Sequence, residues 1–398
     1  MEILDYTLAP EKIAFKPKNK RSDSKLLFYN SGQIRDYEFS QITNIISQEY
    51  DLVLNETKVV NARIFFQKPT GGIIEVFCLE PATGDVTERL AQAESVLWRC
   101  MIGGAKKWKE GVISVSSLKS DETEPLVLSA ERIQDEDGTY ILKFSWSKKG
   151  LTFSEILDEF GKIPLPPYIK RKPEEEDLKR YQTVFATNEG SVAAPTASLH
   201  FTTDILNELQ KNGVDNARVN LHVGAGTFKP ISSSVEEHEM HHELFEVDLV
   251  ELRKLAKSEK LIAVGTTAVR TLESLFILAN SLAISQIKDL NSPQIVKQWE
   301  WKSQKITLFT HKEALKYLAS LLEAQGLEKV HGYTSLMIVP GFKFKVIKGL
   351  ITNFHMPKST LLFLVSALVG ENWKAIYAHA LNNDYHFLSY GDSSLLMP

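Results

Sequence analysis

Three short segments of this chain set histidine, hydroxyl and glycine residues where an apolar strand gives way to a helix or turn. At such junctions exposed backbone N–H groups can receive an anion or a polar ligand. The first segment, NLHVGAGTFKP, carries His222, Gly224, Gly226 and Thr227. Its G-x-G lacks the third glycine of a dinucleotide fingerprint, so taken alone it reads as a tight turn. The second, AVGTTAVRTLE, ends a strand at Gly265 and offers Thr266 or Thr267 as the cap of the next helix. In the third, TNFHMPKSTLL, Pro357 and Ser359 mark a helix start, while Asn353, His355 and Lys358 stand in the turn before it. So many functional side chains in so short a turn favour a site over a plain loop. His200, in ASLHFT, completes a set of three histidines in settings rich in small or turn-forming residues. One such histidine alone reads as a satisfied structural residue. Three together suit acid/base chemistry, because imidazole titrates near neutrality.

A rival chemistry lies at His238 to His242. HEMHH satisfies the HExxH pattern, in which two histidines one helical turn apart bind zinc and the glutamate activates water. The pattern is short, no third ligand is identifiable, and SSSVEEHEMHHELFEV is polar on both sides, unlike a buried active-site helix. We assign no metal here.

The elements that must position these residues follow from patterning. YDLVLNETKVVNAR reads as two strands flanking a polar turn at Asn55, Glu56 and Thr57. From Lys68 to about Gly150, short apolar runs separated by Gly, Asp, Lys and Ser clusters predict a small β-barrel. The remainder alternates strands and helices, as in LIAVG followed by TTAVRTLESLFILAN, the pattern of α/β layers. The fold class expected is a discontinuous α/β catalytic domain, residues 1–67 and 151–398, with a small β-barrel domain inserted at 68–150. Residues 279–330 hold no catalytic pattern, and HKEALKYLASLLEAQGLEK reads as an ordinary amphipathic helix.

Composition narrows the class. At 398 residues the chain has material for two or three domains, and 43% hydrophobic with 24% charged residues excludes wholesale disorder. Lys and Arg total 46 against 50 Asp and Glu, so no whole-protein field holds a polyanion and any nucleic-acid contact must be local. Two cysteines, Cys78 and Cys100, provide no disulfide framework. The N-terminus lacks a secretory pattern and no apolar run approaches the roughly 20 residues of a membrane span, so a cytoplasmic soluble protein without membrane contact is expected.

Along nearly its whole length the chain resembles the S-adenosylmethionine:tRNA ribosyltransferase-isomerase family of queuosine synthesis. The resemblance runs through YDLVLNETKVVNAR, TGGIIEVFCLE, GKIPLPPYIKR, YQTVFA, GSVAAPTASLHFT, LHVGAGTFKP, HEMHHE, AVGTTAVRTLES, PGFKFKV, GLITNFHMPKSTLLFLVSALVG and SYGD, in order. It reads HEMHHE through His238, Met240, His241 and Glu243, not through a zinc trio. It implies transfer of the ribosyl portion of S-adenosylmethionine, as co-substrate and without metal, to 7-aminomethyl-7-deazaguanine at the tRNA wobble position. The product is epoxyqueuosine; adenine and methionine leave. A base must remove a C5′ proton beside the sulfonium and an acid must assist adenine.

Within that resemblance His200, His222 and His355 are candidates for the proton transfers, with no assignment among them. Glu243 or Asp392 would stabilise a developing cation or hold the substrate amine, or equally serve as structural carboxylates. Thr266, Thr267 and Arg270 suit the methionine carboxylate, although Arg270 could pair internally. For the partner, a tRNA anticodon loop, Arg63, the Lys106, Lys107 and Trp108 cluster, Lys170, Arg171 and Arg180 are candidate phosphate and stacking contacts; no obligate protein partner is expected. The chain departs from the family pattern at Lys25 and Lys58 for arginine, Glu56 for aspartate, Ser198 for glycine and His386 for arginine. A paralogue acting on another RNA or nucleoside, or a noncatalytic RNA-binding relative, are the competing readings.

Overall fold

The computed structural model describes the chain apart from residues 69–70, 119, 121–122, 137, 225–230, 232–233, 287 and 304–305. It is a mixed α/β protein that divides into two compact units. One comprises Met1–Thr57, Gln182–Thr187 and Pro195–Pro398; the other, Lys58–Tyr181 and Asn188–Ala194.

The first unit is built on a ten-stranded sheet in the order Gln294–Val296, Lys329–Thr334, Glu243–Asp248, Asn216–Leu221, Tyr50–Asn55, Lys260–Val264, Ile347–Asn353, Ser393–Met397, Lys25–Asn30, Gln33–Glu38. Its four middle strands, from Asn216–Leu221 to Ile347–Asn353, are mutually parallel. Strands covered on both faces need apolar residues at every position, which is why Leu261, Ile262, Ala263 and Val264 form an unbroken buried run. Parallel strands also end along one edge. The antiparallel strands Glu243–Asp248 and Ser393–Met397 begin at that same edge. Open α/β sheets bind ligands at the carboxyl ends of their strands. Here the edge gathers the segments after Asn55, Leu221, Val264 and Asn353.

On one sheet face Leu52, Leu54, Ile262, Val264, Ile351 and Leu395 pack with Phe201, Ile205 and Leu209. Each such side chain, fully buried, contributes about 1.5–3 kcal/mol, and together they hold the four strand ends level. The other face receives the helix Thr266–Ser285. Ser274 bonds Thr334 side chain to side chain at 2.7 Å. Glu273, buried and therefore pushed up to about 7, accepts the N–H groups of Lys345, Val346 and Ile347 at 3.0–3.3 Å. These bonds tie the helix to the start of one strand and the end of another. The 20-residue helix is long and apolar enough to cross a membrane, against the expectation from sequence that no run came near that length. Its apolar surface is explained by burial on nearly all sides within the unit. The helix His311–Gln325 follows the amphipathic expectation, with a reciprocal Thr310–Glu313 cap and left-handed Gly326 at its end.

The second unit holds a seven-stranded antiparallel sheet in the order Gly161–Lys162, Arg63–Gln67, Ile73–Pro81, Ser95–Gly103, Thr139–Trp146, Leu126–Glu136, Val112–Ser117. The strands Arg63–Gln67 and Gly161–Lys162 carry its hydrogen bonding beyond the 68–150 stretch marked out by sequence pattern. Phe153, on the capped helix Phe153–Phe160, packs against Trp98 and Phe144. Cys78 and Cys100, far apart in the chain, are paired across neighbouring strands with their sulfurs 4.0 Å apart, buried and reduced.

Candidate functional site

The edge of the ten-stranded sheet carries four hydrogen-bonded clusters. In the first, Asn55 is completely buried at the end of its strand and bridges to the next one, donating to the Leu221 carbonyl at 3.0 Å and accepting from the Leu221 N–H at 3.1 Å. It also receives the Thr57 N–H at 3.2 Å. This sets the Thr57 hydroxyl 3.1 Å from His222 Nδ1. On the other side of the ring, His222 Nε2 lies 3.9 Å from Glu246. Burial raises the Glu246 carboxyl, but the neighbouring His222 ring and Lys329 ammonium outweigh it and leave the group at about 2, ionised.

The second cluster surrounds Asn353. Its amide nitrogen faces His200 Nε2 at 3.2 Å and its oxygen accepts from Thr196 at 2.9 Å. The His200 ring also bonds the Arg21 backbone. Asp392, wholly buried, accepts from the Lys18 ammonium at 2.7 Å and from the N–H groups of Lys25 and His386 at 2.7 and 2.8 Å. Gly391 before it admits no side chain, since a Cβ would fall 2.5 Å from the His386 carbonyl oxygen. These bonds make Asp392 the brace of the SYGD turn.

Burial pushes His200 down from 6.5 to about 4. Between those values the unfolded chain takes up the proton and the folded chain does not. The stabilisation is therefore complete above about 6.5 and lost as pH falls through about 4, a span of about 3 kcal/mol. Urea midpoints measured from pH 7.5 to 4 should fall for the natural chain and fall less for His200→Gln; equal slopes would refute the assignment.

In the third cluster, His355 Nε2 lies 2.9 Å from the Thr352 hydroxyl. The residue is clamped through its backbone: its N–H donates to the Tyr377 hydroxyl at 3.1 Å and its carbonyl accepts from the Tyr6 hydroxyl. Burial pushes the ring down to about 3. Among the described residues nothing partners Nδ1, and the side chain is half-buried, so one nitrogen is left for a ligand. Lys358, three residues on, adopts a left-handed φ of 60°, a strained conformation of the kind that gathers at ligand sites. Its ammonium pairs with Asp5 at 3.1 Å. Ser359 caps the helix Thr360–Val369, accepting from the Leu362 N–H at 3.2 Å.

The fourth cluster is a buried ion pair. Arg270 bonds Glu243 through Nη1 and reaches the Leu336 carbonyl at 3.1 Å and the Thr334 carbonyl at 3.3 Å. The other Glu243 oxygen accepts the Gly224 N–H at 3.2 Å. Arg270 thus pairs internally, the second of the two uses expected for it. Together with His238, Glu239, Met240 and His241 the pair lines a pocket. HEMHH is irregular chain after a turn, not helix, so His238 and His242 do not share a helical face. Beside this cluster Gly265, at φ 89°, makes the sharp turn into the long helix, with Thr266 buried at its first position. The Thr267 hydroxyl is buried and, among the described residues, unpartnered. Gly226 and Thr227 lie outside the described residues.

In the second unit the residues expected to meet RNA divide. Arg63 is held by Glu75 at 2.6 Å and the Leu165 carbonyl at 3.2 Å, and Arg171 grips buried Asp177 through two bonds of 2.6 and 2.7 Å. Arg180 pairs with Glu176 at 3.3 Å. Trp108 is 1% exposed with its indole N–H on the Gly111 carbonyl, so its ring fills the core instead of offering itself for stacking. Lys106, Lys107 and Lys170 are exposed.

Sequence reasoning missed Asn55, Thr57, Glu246, Thr352 and the two tyrosines, Tyr6 and Tyr377. The polar LNET at the end of an apolar strand was the available signal for the first two. The tyrosines, at opposite ends of the chain, gave none.

The family described as Queuosine biosynthesis protein matches residues 1–396. A relative from Fusobacterium nucleatum subsp. nucleatum, named S-adenosylmethionine:tRNA ribosyltransferase-isomerase, is 38% identical over 98% of this chain and 95% of its own. Relatives of the same name from Halothermothrix orenii and Thermotoga maritima are 36% and 37% identical over 98% or more of both chains. Such similarity from end to end means that the chain belongs to the queuosine biosynthesis protein family, that of the S-adenosylmethionine:tRNA ribosyltransferase-isomerases.

Proposed function

We propose that the chain transfers and isomerises the ribosyl portion of S-adenosylmethionine onto 7-aminomethyl-7-deazaguanine at the wobble position of a tRNA anticodon loop. Epoxyqueuosine forms; adenine and methionine are released. The observation that carries this reading is the family's full-length identity, joined to polar clusters at the one sheet edge where α/β proteins bind ligands. S-adenosylmethionine is a co-substrate, and side chains perform the proton transfers without a metal. The enzyme works in the cytoplasm.

His355 is the base. It is neutral at working pH and retains an unpartnered ring nitrogen to take the C5′ proton. The amides at the start of helix Thr266–Ser285, with the Thr266 and Thr267 hydroxyls, receive the methionine carboxylate. Arg270 and Glu243 brace this corner and hold Gly224. His200, Asn353 and Asp392 brace the other, while Lys358 and Ser359 shape the turn that carries His355. The seven-stranded sheet serves as an inserted barrel domain, with Lys106, Lys107 and Lys170 as its phosphate contacts.

The test is direct. Purified protein incubated with S-adenosylmethionine and a tRNA bearing the aminomethyl base should release adenine and yield a nucleoside of epoxyqueuosine mass. RNA binding without adenine release would mark a noncatalytic relative; release only with another RNA would mark a paralogue.

A further inference from the structure

The strand Asn216–Leu221, with His222 just beyond it, presents a row of unmet hydrogen-bonding groups. Arg218, Asn220 and His222 alternate along the chain and so share a face, the face of Leu54, with which Arg218 is in register. Each holds a buried polar atom without a partner among the described residues: Arg218 Nη1, Asn220 Oδ1 and His222 Nε2. Asn220 and His222 are only 7% and 6% exposed. A buried polar group left unpaired costs about 1–3 kcal/mol, and folded proteins carry only a few per hundred residues. Three at successive positions of one strand face are a prepared surface, not scatter.

The order of the groups is specific. Arg218 can only donate. Asn220 Oδ1 can only accept, its amide nitrogen being turned to Glu56 at 3.4 Å. The carboxylate of Glu246, directly across from Asn220 and held by Lys329, lies beside His222 Nε2 and favours a proton there. His222 Nδ1 is then the acceptor of the Thr57 hydroxyl. The row reads donor, acceptor, donor. Its complement is a planar edge that reads acceptor, donor, acceptor. Adenine has that edge in its exocyclic amine flanked by two ring nitrogens; a 7-deazaguanine, which lacks the seven-position nitrogen, does not.

We propose that Arg218, Asn220 and His222 bind the adenine base of S-adenosylmethionine, the amine on Asn220 Oδ1 and a ring nitrogen on each flanking donor. This rests on the functional reading above and deepens it, because a donor on a ring nitrogen also stabilises the electron pair that adenine gains as it leaves.

S-adenosylhomocysteine and its 6-oxo counterpart, which reverses the polarity of the central group, test this by calorimetry on the full chain without tRNA. The natural protein should prefer the 6-amino compound by about tenfold or more. Asn220→Ala should reduce that preference to within about twofold while the melting temperature holds. If Asn220→Ala does not fold, Asn220→Ser carries the same expectation. Equal affinity of the natural protein for both compounds, or a preference that survives the substitution, overturns the adenine row and leaves it a water-filled seam. Failure of both compounds to bind at all overturns the functional reading with it.

Discussion

Replacing His355 by alanine is expected to lower the rate of adenine release by about 10²–10⁴-fold, the usual worth of a positioned general base. Three properties converge on this residue. Its ring is held by one bond, to Thr352, which leaves Nδ1 for the substrate, whereas the His200 ring bonds both the Asn353 amide and the Arg21 backbone. Its low pKa, about 3, keeps it unprotonated at neutral pH. Its backbone is gripped on both sides by tyrosine hydroxyls, so the ring's position is set by the fold and not by the substrate. Truncation removes the ring from a half-buried turn, so the stability loss should be small beside the rate loss. The discriminating measurement is exchange of the C5′ proton of S-adenosylmethionine into deuterated solvent with tRNA present. A variant that still exchanges at the natural rate would remove His355 from the chemistry.

The second large effect concerns stability. Arg270→Met should destabilise the protein by about 3–5 kcal/mol, because the buried Glu243 carboxylate would lose the guanidinium that balances it. Against a total of about 5–15 kcal/mol that loss brings the chain close to unfolding. The double substitution Arg270→Met with Glu243→Leu should recover much of it, since removing both charges also removes the cost of burying them. Urea unfolding of the natural chain, both single variants and the double variant completes the cycle. A single-variant loss below about 1 kcal/mol would mean that the pair is solvated.

The segments that form the site were readable as motifs. LHVGAG, AVGTTAVR and NFHMPKST each announce a strand end and a helix start through local chemistry, since glycine allows the turn and hydroxyls cap the helix. The alternation of apolar runs announced α/β layers in the same way, because burial on both faces of a parallel strand leaves an uninterrupted apolar signature. The chemistry of the clusters was not readable. Arg270 as carboxylate ligand and Arg270 as ion-pair partner are the same letter, and the choice depends on Glu243 standing across the sheet edge. Trp108 beside lysines looks like a stacking platform until the core that encloses it is known.

By itself, then, the sequence determined the local events: where strands stop, which helices are capped, which residue types stand at the stops, and which family pattern they compose. Only the tertiary structure decided which histidine keeps a nitrogen for a ligand, which arginines are already paired, that Cys78 meets Cys100, and that Arg218, Asn220 and His222 form an unsatisfied row. The physical reason is one of range. Turn and cap preferences act over a few residues and are written in adjacent letters, whereas a hydrogen bond or a buried charge is settled by partners that chain folding brings from far away in sequence, as it brings Tyr6 to His355.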